Sequence, residues 1–237
     1  MIIYGINTIR ACLEKNSLLK VMVSKEFSNR SLLNSIKEKG IKIELTTKEK
    51  INELAPGVNQ GICGYIKDVE PLDLTGLINK AKKQESNGVT PLIVILDQLT
   101  DPHNLGAILR SCDAFNAIGV IYKKHNSVSL NGTVAKVSTG AINFVNCCEV
   151  TNLTRAIEAL KKNGFWVVGL DGEANSKFKD VPQNAPLAVV VGSEGYGISR
   201  LVKENCDLIC AIPMFGHVNC LNASVACSIA LYALRTR

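Results

Sequence analysis

The stretch "DPHNLGAILRSCDAF", residues 101–115, places one guanidinium, Arg110, inside a short helix whose apolar residues recur at helical spacing (Leu105, Ile108, Leu109, Cys112, Phe115). An arginine fork grips phosphate or carboxylate oxygens in pairs. Asn104, near the helix start, offers a donor and an acceptor at once. Two later stretches carry comparable groups. In "VVVGSEGYGIS" three glycines and Glu194 lie between an apolar strand and a helix, and such a turn lets backbone N–H groups approach a ligand closely. In "IPMFGHVNCLNASVACSIALYA" a strand ends in Ile-Pro-Met, a glycine loop follows, and a helix opens through Asn222 and Ser224.

Each residue also has a purely structural reading. Asn104 could cap its helix, His103 could face solvent, and Arg110 could pair with Asp113 one turn on. Glu194 could favour the positive end of a helix, and Asn222 or Ser224 could cap the last one. The glycine spacing is neither the dinucleotide fingerprint nor a P-loop, so it does not support phosphate binding. Cys206, Cys210, His217, Cys220 and Cys227 crowd the C-terminal third, yet their spacing fits no paired zinc pattern and no metal is expected. A cysteine nucleophile with His103 or His125 lacks an identifiable orienting group.

These loops need a scaffold. From Pro91 the chain alternates apolar strands with helices: "PLIVILD", the Arg110 helix, "IGVIYK", "GTVAKVSTGAINF" as helix and strand, "NLTRAIEALKKNG", "FWVVGLD", "PLAVVVG", "ISRLVKENC", "LICAIP" and the C-terminal helix. Continuous apolar strands in strict alternation with helices predict a mostly parallel sheet covered on both faces, with sites at the strands' carboxyl ends. Residues 1–67 read as a smaller α/β domain of about three strands. It contains the helices "GINTIRACLEKN", "SLLNSIKEKG" and "TTKEKINEL" and the strand-like "LLKVMVS", "IKIEL" and "GICGYIKDV". Residues 68–74 read as a linker and 75–237 as the larger domain.

Composition sets limits. The chain has 237 residues, 46% hydrophobic and 20% charged, enough to fill a core, so disorder is not expected. The net charge of +6 is spread without a basic tail and by itself names no partner. No apolar run is long enough to cross a bilayer, so no membrane association is expected. The start "MIIYGINTIR" lacks a secretory pattern, and nine scattered cysteines read as buried reduced thiols, which leads us to expect a cytoplasmic protein.

The three loops, in this order and separation, resemble the SpoU-type (TrmH) RNA ribose 2'-O-methyltransferases of the SPOUT class. The subgroup of greatest similarity is the RlmB-type rRNA guanosine enzymes. The region before residue 68, with "YGINTIRACL" and "NQGICGYI", is similar to the small RNA-binding domain that precedes many of them. The resemblance implies a trefoil-knotted C-terminus, a homodimer, an RNA substrate, most simply rRNA, and S-adenosylmethionine as cofactor. Carried over by position, cofactor contacts fall on Gly192, Ile212, Met214 and Leu221, and the catalytic set on Asn104, Arg110, Glu194 and Asn222. Arg110 is implied either as base for the ribose hydroxyl or as a clamp on the neighbouring phosphate. With a guanidinium pKa above about 12, the clamp is the less costly role. Glu194 would hold Arg110 or the glycine turn, and the two asparagines would orient the ribose and Arg110. Two departures stand out: Cys220 where many relatives have serine, and Asn59 where many have histidine. Alternatives are a tRNA ribose methyltransferase, a non-catalytic RNA-binding member acting in ribosome assembly and, more remotely, a nucleotide-dependent oxidoreductase.

Overall fold

A computed structural model describes residues 1–67, 69–125 and 127–236. Asp68, which opens the expected linker, and Arg237, which ends the expected last helix, lie outside the described residues. In chain order the strands are β1 Ile2–Tyr4, β2 Leu18–Ser24, β3 Lys42–Thr46, β4 Ile62–Ile66, β5 Leu92–Leu96, β6 Gly119–Lys123, β7 Asn146–Val150, β8 Trp166–Leu170, β9 Leu187–Val191 and β10 Leu208–Cys210. The helices are α1 Ile6–Glu14, α2 Arg30–Glu38, α3 Lys48–Leu54, α4 Leu74–Ser86, α5 Pro102–Ala114, α6 Gly132–Val137, α7 Leu153–Lys162, α8 Arg200–Glu204 and α9 Ala223–Arg235. They divide into two compact units, Met1–Val69 with Leu130–Phe144, and Glu70–Ser129 with Val145–Arg237.

The first unit is built on a sheet ordered β1-β4-β2-β3, in which β4 runs antiparallel to both its neighbours and β2 and β3 form the parallel pair. It has one strand more than expected, because β1 is three residues long and too short to show an alternation. Its helices start where side chains replace missing backbone partners: Asn29 accepts from the Leu32 N–H and Thr47 from the Lys50 N–H. The "GAINF" segment is not a strand. Thr139 and Gly140 take positive φ (51° and 94°) and turn the chain into a single 3-10 turn, Ala141–Asn143.

The second unit carries six parallel strands ordered β10-β8-β9-β5-β6-β7. Alternate residues of its central strands point to opposite faces, and both faces are apolar. Ile93, Ile95, Ala188 and Val190 meet α4, α7 and α8 on one side. On the other, α5 and α9 pack together and against β6 and β9. The architecture is therefore the parallel α/β sheet expected. "LICAIP" is strand only over Leu208–Cys210, so Ile212 sits in the irregular segment between β10 and α9. Leu72, within the expected linker, donates its N–H to the Cys147 carbonyl at 2.7 Å, and Asp73 caps α4. No helix among the described residues is long and apolar enough to cross a membrane.

Candidate active site at the carboxyl ends of the parallel strands

Strand register sets the site. Leu96 of β5 pairs with Val191 of β9, so Asp97 and Gly192 leave the sheet side by side. Beyond Asp97 the chain turns into α5, and beyond Gly192 into the glycine turn. The cap of α5 is Asp101, whose carboxylate accepts the His103 N–H at 2.8 Å. Pro102 follows in the first turn, where its missing N–H costs nothing. Asn104 is therefore not the cap. It is buried in the first turn with its amide free to reach across the sheet.

Glu194 is what it reaches. The Asn104 Nδ2 donates to Glu194 Oε1 at 2.8 Å, and the Asn222 Nδ2 donates to the same oxygen at 2.5 Å. Asn222 Nδ2 also donates to Asn104 Oδ1 at 2.9 Å, closing a three-residue cluster. Asn222 serves both readings through separate atoms. Its Oδ1 caps α9 by accepting from the Ser224 and Val225 N–H groups, while its Nδ2 joins the cluster. One carboxylate thus ties together the starts of α5 and α9 and the glycine turn between β9 and α8.

Arg110 lies a turn and a half further along α5 and is exposed. Among the described residues it makes no hydrogen bond and no ion pair, with Asp113 or with Glu194. The structure brings three of the four expected catalytic side chains together and leaves the arginine free. Gly192 earns its place through chain reversal: a Cβ there would lie 2.1 Å from the Gly197 carbonyl carbon. Ser193 and Gly197 exchange backbone hydrogen bonds across that reversal. Ile212 and Leu221 are half-buried and Met214 is exposed, all three in the irregular chain flanking β10 and α9.

Several contributors were not found from the sequence. Asp97, 2% exposed, accepts the Ser199 N–H at 2.7 Å and fixes the far end of the glycine turn. A charged residue ending a five-residue apolar run was the available signal. Ser111 Oγ and Ser228 Oγ lie 2.7 Å apart between α5 and α9. The Ser193 hydroxyl oxygen is buried in the glycine turn with no hydrogen-bond partner among the described residues. Asn59, singled out in the sequence as a departure, belongs to the first unit, where it is buried and paired with Asn52, the Ala55 carbonyl and the Gly61 N–H and so shapes the turn before β4.

An α/β unit with a fully parallel sheet, whose strand ends bring two amides and a carboxylate together, has the architecture in which ligands bind at the carboxyl ends of the strands. The sequence matches the SpoU rRNA methylase family over residues 91–232 and the RNA 2'-O ribose methyltransferase substrate-binding family over residues 2–72. The chain belongs to the SpoU (TrmH) methyltransferase family. Among its relatives, a protein assigned to the TrmH family of tRNA/rRNA methyltransferases in Staphylococcus haemolyticus is 45% identical over 85% of this chain and 80% of its own. The YacO protein of Bacillus subtilis, with the same assignment, is 41% identical over 86% and 80%. The fold matches the crystal structure of the SpoU methyltransferase AviRb from Streptomyces viridochromogenes in complex with AdoMet. The TM-score is 0.79 and identity 23%, covering 99% of this chain and 88% of that one.

Proposed function

We propose that this protein transfers a methyl group from S-adenosylmethionine to a ribose 2'-hydroxyl of structured RNA, specifically a guanosine of large-subunit rRNA. In this reading residues 1–67 bind RNA and 75–237 carry the transfer, in a cytoplasmic homodimer with a knotted C-terminal segment. The observation that carries it is the convergence of Asn104 and Asn222 on one Glu194 oxygen.

The residues present fit the cofactor. The orphan Ser193 hydroxyl in the glycine turn offers a hydrogen-bonding group without a protein partner. Gly192, Ile212, Met214 and Leu221 would hold the cofactor through backbone groups and apolar side chains. When bound, it supplies a methyl group carried on a sulfonium. Glu194 serves as the anchor of α5 and α9, because its Oε1 takes the Asn104 and Asn222 amides while no ion pair joins it to Arg110 among the described residues. Arg110 is then available to clamp the phosphate beside the target ribose and hold the 2'-hydroxyl in line. The exposed apolar face of α9, with Val225, Ile229 and Tyr232 at i, i+4 and i+7, supports the dimer.

The test uses tritiated S-adenosylmethionine with large-subunit rRNA, and separately tRNA, from cells lacking the protein. Expected is label in rRNA, recovered as 2'-O-methylguanosine, with Arg110→Ala and Arg110→Lys losing transfer while cofactor binding persists. Label in tRNA alone would reassign the substrate. Cys220 favours a second reading, an RNA-binding member without turnover, since a thiol is a weaker hydrogen-bond partner than the serine implied there. Cofactor-free RNA binding with no label in either RNA would favour it.

A further inference from the structure

The first unit holds a cavity of about 790 Å³. Its walls are apolar: Ile2 and Tyr4 from β1, Leu54 and Pro56 after α3, and Leu130 before α6. Its polar groups are few. Asn131 spends its Oδ1 capping α6 on the Val134 N–H, which leaves the Nδ2 donors over. Among the described residues the Thr133 hydroxyl and the Tyr4 phenol have no hydrogen-bond partner. None of the lining residues is acidic. Gly132 permits the closure, since a Cβ there would lie 2.8 Å from the Ile2 carbonyl oxygen.

The charge beside the cavity is positive. Lys136 Nζ sits 4.6 Å from the Tyr4 ring centroid. The pattern repeats on the same sheet face: Ile2 is paired with Tyr65, so their side chains lie on one side, and Lys20 Nζ sits 4.9 Å from the Tyr65 ring. Lys20 Nζ also pairs with Glu44 Oε2 at 3.2 Å, and Lys42 stands level with Lys20 on the neighbouring strand, so the three side chains together keep a net positive charge. Two aromatic rings, each topped by an ammonium, beside an apolar cavity with a few unspent donors match a planar, heteroatom-edged ligand with a neighbouring anion. Single-stranded nucleic acid has that chemistry: bases stack on aromatic rings and phosphates meet cations.

We infer that this cavity receives one unpaired nucleobase of the RNA substrate, with Asn131 and Thr133 reading its edge and the Tyr65–Lys20 pair holding the adjoining nucleotide. The inference rests on the RNA-methyltransferase reading and names where that RNA is gripped outside the methyl-transfer site. It predicts a preference for unpaired over paired RNA.

Fluorescence anisotropy with a labelled 12-nucleotide single-stranded RNA of random sequence, and with a fully paired 12-bp duplex, tests it on the full chain. The wild-type protein is expected to bind the single strand about tenfold more tightly than the duplex. Thr133→Trp, which fills the cavity, and Lys136→Glu are each expected to weaken single-strand binding about tenfold. Melting temperature and S-adenosylmethionine binding should be unchanged in both. If one variant melts early, the other decides. In addition, 4-thiouridine in the single strand should crosslink to the peptide holding Tyr4 or to that holding Lys136. Equal affinity for duplex, wild-type affinity in a folded variant, or crosslinks confined to the second unit would each overturn the inference. Failure of the methyltransferase reading is separable, since it appears as absent S-adenosylmethionine binding and absent methyl incorporation in the wild-type protein.

Discussion

Asp97 is the residue on which the glycine turn hangs. Its carboxylate is almost fully buried and accepts the Ser199 N–H, while its own N–H donates to the Val191 carbonyl. Replacing it with alanine removes the acceptor and leaves a partly buried N–H unpaired, at about 1–3 kcal/mol. Asp97→Ala is therefore expected to lower the melting temperature by several degrees, and to weaken S-adenosylmethionine binding measured by calorimetry more than Asp97→Asn does. A wild-type affinity in Asp97→Ala would show that the turn holds its shape without the strap. The cysteines permit a second residue-level expectation. Cys220 is exposed, whereas Cys112, Cys147, Cys148 and Cys227 are buried. Burial holds the thiols of Cys147 and Cys227 near pKa 12, so almost no thiolate exists at neutral pH. A disulfide-exchange reagent at pH 8 should titrate Cys220 rapidly and these four only after unfolding.

Helix α9 shows how much an element can conceal from a sequence reading. Its beginning was legible, because Asn222 before a run of small residues is a cap pattern, and the structure uses it as one. Its end was not. The Arg235 guanidinium donates to the carbonyls of Phe115, Thr90 and Asn116 at 2.8, 2.8 and 2.7 Å, stitching the end of α9 to the turn after α5 and to the chain entering β5. A lone arginine near a chain end carries no trace of three distant carbonyls, and burial that draws its pKa down depends on the fold around it. The same limit made Asn104 a candidate cap when Asp101 holds that role. By contrast, the parallel sheet was legible because an apolar run such as "LIVIL" survives only between two covered faces. Arg235→Lys supplies a point charge where three directed donors are needed. It should cost about 1–3 kcal/mol, a drop of roughly 2–10 °C in melting temperature, with the cofactor site intact. A melt indistinguishable from wild type would mean that water satisfies those carbonyls.

For the whole molecule, alkali and self-association probe the packing just described. The thiols of buried Cys147, Cys148 and Cys227 and of half-buried Cys206 have folded-state pKa values raised to about 12 by desolvation, against an ordinary value of 9.0. The unfolded chain therefore sheds their protons first. Their contribution is complete below pH 9 and is lost as pH rises from 9 towards 12. Melting temperature should accordingly be level between pH 7 and 8 and fall progressively above 9, with a shallower fall in Cys227→Ala. The proposed dimer adds a second handle. Val225, Ile229 and Tyr232 remain 45%, 36% and 58% exposed along one face of α9, although the opposite face is packed on α5 and the sheet. An apolar stripe left open on a helix that starts at the candidate site is costly to leave in water, and burying it against a second copy removes that cost. A charge at its centre cannot be buried unpaired. Ile229→Asp should thus sediment as a monomer where the wild type sediments as a dimer, with methyl transfer lost if the site is completed across the pair. A dimer that persists in Ile229→Asp would move the interface to another face of the molecule.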